Sequence, residues 1–109
     1  MIQTTITPVI VAAPATTTQS SLAIKALGAD AFSLSCNVQG VTSPVAAIAL
    51  QGSNDGVNFG DITSKPISSN GIYLIYLFPC AFVYLRANYT YTSGAGGTVD
   101  IVIAMMETV

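Results

Sequence analysis

Phe82-Val83-Tyr84-Leu85-Arg86-Ala87-Asn88-Tyr89-Thr90-Tyr91-Thr92 is the stretch on which the fold turns. Val83, Leu85, Ala87, Tyr89 and Tyr91 fall on one face of an extended chain, and Phe82, Tyr84, Arg86, Asn88 and Thr90 on the other. Successive side chains of a strand point to opposite faces, so this period of two predicts a strand buried on one side. Working outward, Phe32, Leu34, Cys36 and Val38 alternate in the same way with Ser33, Ser35 and Asn37. Val99, Ile101 and Ile103 do so within Thr98–Met106, against Asp100 and Val102. Leu22, Ile24 and Ala26 alternate with Ala23, Lys25 and Leu27, ending at a Gly28-Ala29-Asp30 break. Val45–Leu50, Phe59–Ile62 and Ile72–Phe78 complete the apolar segments.

Turn residues separate these runs: Gly40 to Pro44, Asn54-Asp55-Gly56, Ser64-Lys65-Pro66, Ser68-Ser69-Asn70-Gly71 and a Ser93–Gly97 hairpin loop. Asp-Gly supplies the left-handed backbone angles of a tight hairpin at little steric cost. The spacing of turn signals, roughly 8–12 residues, is that of sandwiches and barrels. The chain is expected to be all-β: an antiparallel β-sandwich of seven to eight short strands. A jelly-roll arrangement is favoured over an immunoglobulin one, whose core Trp and spaced Cys pair are missing. Residues 1–20 are read as an extended N-terminal arm, with a short edge strand around Thr5–Val11, ahead of a β-sandwich domain at 21–109. That arm is rich in Thr, Ala, Pro and Val, has no charge, and carries Pro8 and Pro14, which bar a central strand position.

Composition narrows function by exclusion. Of 109 residues 7% are charged, against roughly 25% in an ordinary globular protein. So uncharged a surface points to burial against other subunits, and a homo-oligomer is expected. Lys25, Lys65 and Arg86 are too few and too scattered to neutralise phosphates, so nucleic acid is not expected as a partner. The densest apolar run, Ile72–Phe78, stops at Pro79, far short of the roughly twenty residues of a membrane span, and no membrane partner is expected. Met1-Ile2-Gln3-Thr4-Thr5 lacks the positive segment of a secretory signal, so synthesis in the cytoplasm is expected.

The residues for catalysis are sparse. There is no His, which removes His-based triads and His-ligated metals. Cys36 reads as a small core side chain and Cys80 as a strand-end or loop residue; together they fall short of a structural zinc site. No enzymatic activity and no cofactor are expected. Asn54, Asp55, Asn58 and Asp61 put four oxygen donors close together, as a calcium loop would, but without the order of an EF-hand; turns select the same residues, and no metal is assigned. Tyr73, Tyr76, Tyr84, Tyr89, Tyr91 and Phe59 are the aromatics on which a sugar would stack, though on alternating strands such residues pack against one another. Asn54, Asp55, Asn58, Phe59, Tyr84 and Arg86 are taken as the candidate ligand or subunit contact.

The order of these motifs resembles two groups. Ser53–Phe59 with the later strand is similar to the turn and closing strand of discoidin-like, galactose-binding-like jelly rolls, with Phe59 where that family prefers Trp. A fuller resemblance is to small tailed-phage virion proteins. They share the Thr/Ala/Val-rich arm, the Leu50–Phe59 pattern, the Tyr84–Thr90 strand, the Thr92–Thr98 turn and a closing apolar strand, over roughly residues 30–106. The second resemblance implies a bacteriophage virion component: a capsid decoration or cement protein, a minor capsid subunit, or a tail subunit. Its partners would be copies of itself and major capsid or tail proteins, and its location the virion. The first implies the alternative, a carbohydrate-binding module for cell-surface attachment with a glycan as ligand.

Overall fold

The computed structural model describes residues 2–26 and 31–108. Its strands are β1 (Ile2–Pro14), β2 (Gln19–Ser20), β3 (Ile24–Lys25), β4 (Ala31–Gln39), β5 (Thr42–Ser53), β6 (Gly60–Ile67), β7 (Gly71–Leu77), β8 (Tyr84–Ala95) and β9 (Thr98–Thr108). They form two antiparallel sheets. The first has the order β1-β9-β4-β7; the second runs β2-β8-β5-β6, with β3 also on β8. Taking β2 and β3 as one interrupted strand gives two four-stranded sheets. Of the links between successive strands, only β5–β6 then joins neighbours in one sheet, and the others cross between sheets. This is a jelly-roll sandwich, as expected from the sequence.

The alternation read from the sequence is the core. Phe32, Leu34, Cys36, Val38, Val99, Ile101 and Ile103 point inward from the first sheet, and Ile48, Leu50, Leu85, Ala87 and Tyr89 from the second. Burying such a side chain contributes about 1.5–3 kcal/mol for each large apolar residue, so this layer dominates the stability. Tyr89 brings a polar tip into the core and satisfies it by donating to the Ala15 carbonyl at 2.7 Å, just beyond β1. Burial raises the pKa of this hydroxyl, which keeps it a neutral donor. Asn70 ties the β6–β7 corner to Val41: its side chain accepts from the Val41 N–H and donates to the Val41 carbonyl, both at 2.9 Å.

The β8–β9 turn needs glycine. Gly97 has φ +79°, and a Cβ there would lie 2.6 Å from the Gln39 carbonyl oxygen and against the Val41 side chain.

Several local expectations change. Residues 2–14 are extended, but as a full-length strand: β1 pairs with β9 from Ile2↔Thr108 to Pro14↔Thr98. The segment is an edge of the sandwich itself rather than a separate arm, and its prolines fit because an edge strand has one side free of ladder bonds. Ser64-Lys65-Pro66 lies inside edge strand β6, for the same reason, instead of forming a turn. Leu22 is 89% exposed, so the Leu22–Ala26 alternation holds only from Ile24, where Ile24 packs on the core, Lys25 is exposed and Ala26 is buried. Besides the β3 pairing, the stretch is held by bonds from Ser21 N–H to Ala87 O and Ala26 N–H to Val83 O. Leu27 and the Gly28-Ala29-Asp30 break lie outside the described residues. β8 runs on to Ala95, leaving Gly96-Gly97 as the turn proper.

Candidate functional site

Strand β5 carries Leu50-Gln51-Gly52-Ser53 to one end of the second sheet, and β8 brings Tyr84 and Arg86 beside it through the pairs Ser53↔Tyr84 and Gln51↔Arg86. Between β5 and β6 the chain makes the connection 54–59, longer than the tight hairpin its Asp-Gly step suggests. Phe59 closes this connection instead of opening β6, which starts at Gly60. Register and loop thus gather Asn54, Asp55, Asn58, Phe59, Tyr84 and Arg86 at one end of the sandwich.

Their polar atoms hold the loop. The Ser53 hydroxyl, buried, accepts from the Asp55 N–H at 3.2 Å and the Gly56 N–H at 3.0 Å, and donates to the Asp55 carboxylate at 2.8 Å. That carboxylate also accepts from the backbone N–H groups of Val57 and Asn58 and from the Asn58 side-chain amide, each at 2.8 Å. The backbone donors at Asn58 and Val57, then the two side-chain bonds, hold the Asp55 carboxyl far below the usual carboxylate range. Asn54 accepts from the Val83 N–H at 3.3 Å, fastening the loop to the approach to β8. Gly56, at φ +76°, passes so close to Tyr84 that a Cβ would sit 3.2 Å from the ring.

Arg86 joins loop to sheet. Its guanidinium carbon stands 4.3 Å from the centroid of the Phe59 ring, a cation–π contact. Its Nε donates to Gln51 Oε1 at 2.7 Å, and Gln51 Nε2 donates to Asp61 Oδ1 at 2.8 Å. This relay crosses β8, β5 and β6 on the outer face of the second sheet. Farther along the same face Ser20 donates to Asn88 at 2.6 Å, and Asn88 donates to Thr90 at 3.1 Å.

The four oxygen donors considered for calcium do not converge: Asp61 is held on the sheet by Gln51, while Asp55 turns into its own loop. Among the described residues no three His, Cys, Asp or Glu side chains come together to hold a metal ion. The tyrosines also disperse. Tyr89 is core, Tyr91 donates to the Gly94 carbonyl at 2.7 Å, Tyr73 donates to the Ser69 carbonyl at 2.7 Å, and Tyr76 stands in solvent on the first sheet. Both cysteines are free, and burial pushes the Cys36 thiol up to about 12. Sequence reasoning missed Gln51, whose role follows from register, and Ser53, which looked like an ordinary turn residue although its hydroxyl organises the loop locally through Asp55 and Gly56. It also missed the outward face of β7: Ile72, Leu74 and Tyr76, with Phe78 just beyond, are each between 61% and 78% exposed.

No family model matches this chain, and no curated protein does. Solved structures do. The SPBc2 prophage-derived protein YomS superposes with a TM-score of 0.72 at 9% identity, over 98% of this chain and 96% of that one. The PBSX exported protein XepA gives 0.69 at 9% identity, over 98% of this chain; the match spans 38% of XepA. A protein of Bacillus endospore appendages, described as disulfide-linked pili, gives 0.56 at 14% identity, over 100% of this chain and 88% of that one. The likeness is one of fold.

Proposed function

We propose that this chain is a non-enzymatic structural subunit of a bacteriophage virion: a capsid decoration or cement protein, or a minor capsid subunit. It works by assembling through its β-surfaces with copies of itself and with other virion proteins. The observation that carries this reading is the end-to-end match to a prophage-derived protein of nearly the same extent. A jelly roll of this kind can serve as a building unit, and assembly supplies the burial that so charge-poor a surface otherwise lacks. The site geometry fits the same role. Asp55, Asn54, Gln51 and Arg86 are engaged in holding the loop and the sheet, which leaves the carbohydrate-binding alternative with little support at the Asn54–Phe59 end.

In this reading the N-terminal segment contributes as strand β1. Removing residues 1–20 takes away an edge of the first sheet as well as any contact it makes, so that deletion reports on folding before assembly. The reading is tested on particles. An antibody against the recombinant chain should label purified phage particles produced by cells that carry the gene, and the chain should remain with them through a density gradient. Particles free of the chain, with all of it left in the soluble lysate, would sink the proposal.

A further inference from the structure

Among the described residues the two sheets have four edges, and three carry features that discourage pairing with another chain. Strand β1 has Pro8, Pro14 and register shifts between Pro8 and Ala13. Strand β6 has Asp61, Lys65 and Pro66. Strands β2 and β3 are two residues each. Short strands, charges, prolines and bulges are the usual ways to blunt an edge. Strand β7, Gly-Ile-Tyr-Leu-Ile-Tyr-Leu, has none of them, and it pairs with β4 in unbroken register.

This strand is apolar on both faces, the composition of a strand covered on both sides. Inward it offers Ile75, which is buried, with Tyr73 and Leu77 packed on the core. Outward Ile72, Leu74 and Tyr76 line up, followed by Phe78. The register continues this outer face across the sheet through Asn37, Ser35 and Ser33 on β4, then Asp100, Val102 and Ala104 on β9, with Ile6 of β1 beside Ala104. Among the described residues Asp100 is its one charge. Ile6, Ile72, Leu74, Tyr76, Phe78 and Met106 are between 42% and 78% exposed. At about 150–250 Å² for a whole aromatic side chain and less for an aliphatic one, they leave on the order of 600 Å² of side-chain surface in water. Summed over the face, that is at the upper end of the largest patch of a typical monomer, about 300–600 Å², and within reach of the roughly 800 Å² that each partner contributes to a standard interface.

We propose that this face is the docking surface for a second copy of this chain, in a two-fold dimer. The face is self-complementary. Beside the projecting β7 side chains lies a hollow of about 350 Å³, lined by Ala31, Phe32, Ser33, Tyr76, Ala104 and Met106. Its small residues leave room for a large apolar side chain from an identical face, so each copy supplies both projection and hollow, as a two-fold interface requires. A partner rich in charge would strand its charges against the apolar β7 stripe, whereas a copy brings only Asp100 among the described residues of this face. The inference goes beyond the virion reading, since the purified chain alone should pair in this way.

The test is the oligomeric state of the full chain. An interface of this size reaches affinities from micromolar to picomolar, so at about 100 µM the dimer should predominate. Sedimentation velocity should give twice the 11.2 kDa of one chain. Leu74→Glu and Tyr76→Glu should each weaken the dimer at least about tenfold, the cost of a charge left unpaired in an interface, while Thr90→Glu, on the outer face of the second sheet, should leave it intact. If the glutamate variants fail to fold, Leu74→Cys in a Cys80→Ser background gives a second readout. Mild oxidation should cross-link it as a dimer, and Thr90→Cys in the same background should not cross-link. A monomeric wild type, a dimer indifferent to Leu74→Glu, or equal cross-linking at both positions would overturn the proposal.

Discussion

The two outer faces of the sandwich treat solvent in opposite ways. On the second sheet the exposed side chains bond to one another: Arg86 to Gln51 to Asp61 across three strands, and Ser20 to Asn88 to Thr90 beside them. On the first sheet Ile72, Leu74, Tyr76 and Phe78 stand out into water. A face whose polar groups are matched is complete within one molecule. A face that exposes large apolar groups is complete only against something else. Substitutions on the first kind should lower the stability of the fold, and on the second should change association while leaving the folded monomer nearly as it was.

The largest loss of stability is expected at Ser53. Ser53→Ala removes a buried hydroxyl that caps two loop N–H groups, at a cost of about 1–3 kcal/mol. For a domain of this size each kcal/mol moves the thermal midpoint by about 4–8 °C, so calorimetry should show a clear drop. Gly56→Ala is next, at about 1 kcal/mol for a side chain at positive φ, with the Tyr84 ring adding crowding. Arg86→Ala removes the Phe59 stacking and the bond to Gln51 and should cost up to about 1 kcal/mol by urea unfolding, because the site is half open to solvent. If it costs nothing, the relay is ornament and the contrast between the faces weakens.

Acid should separate the faces further. The folded-state pKa of Asp55 lies below its unfolded value of about 3.9. Its contribution is therefore present above about pH 4 and fades as pH falls through the folded pKa. Wild type should be more stable than Asp55→Asn at pH 6, and the gap should narrow towards pH 2; a constant gap in thermal midpoints would show that the carboxylate is not what the loop requires. The smallest effect on the fold is expected at Leu74→Glu, within about 0.5 kcal/mol as for other surface changes. It should be compared at concentrations low enough to keep wild type monomeric, since dimerisation itself raises apparent stability.

The inward alternation of β4, β8 and β9 was legible in the sequence because burial on one face writes a period of two into a strand. Which strands form the edges was not, because strand order is decided by pairing between distant segments. Ile72–Phe78 read only as the densest apolar run, with nothing to mark it as an edge, and Ser64-Lys65-Pro66 looked like a turn although the same residues suit an edge. The Leu22–Ala26 stretch was legible only in part, since it pairs at Ile24 and Lys25 but leaves Leu22 in solvent: a short run of apolar residues carries too little pattern to show where a strand begins. At the candidate site the loop residues were visible as a turn motif. Their union with Tyr84 and Arg86 depends on the Gln51↔Arg86 register, which no local motif records.

The pairing of β1 with β9 governs when the molecule can close. Strand β9 lies between β1 and β4, so the first sheet has no middle until β9 arrives. Ile2 and Thr108, which face each other in that ladder, are about a hundred residues apart along the chain, and closing so long a loop is among the slower steps open to a domain. On a ribosome the β1 segment emerges early and waits while everything between is made. For that interval β1 and β4 both lack the neighbour that joins them, and the growing chain is at its most vulnerable to a wrong partner.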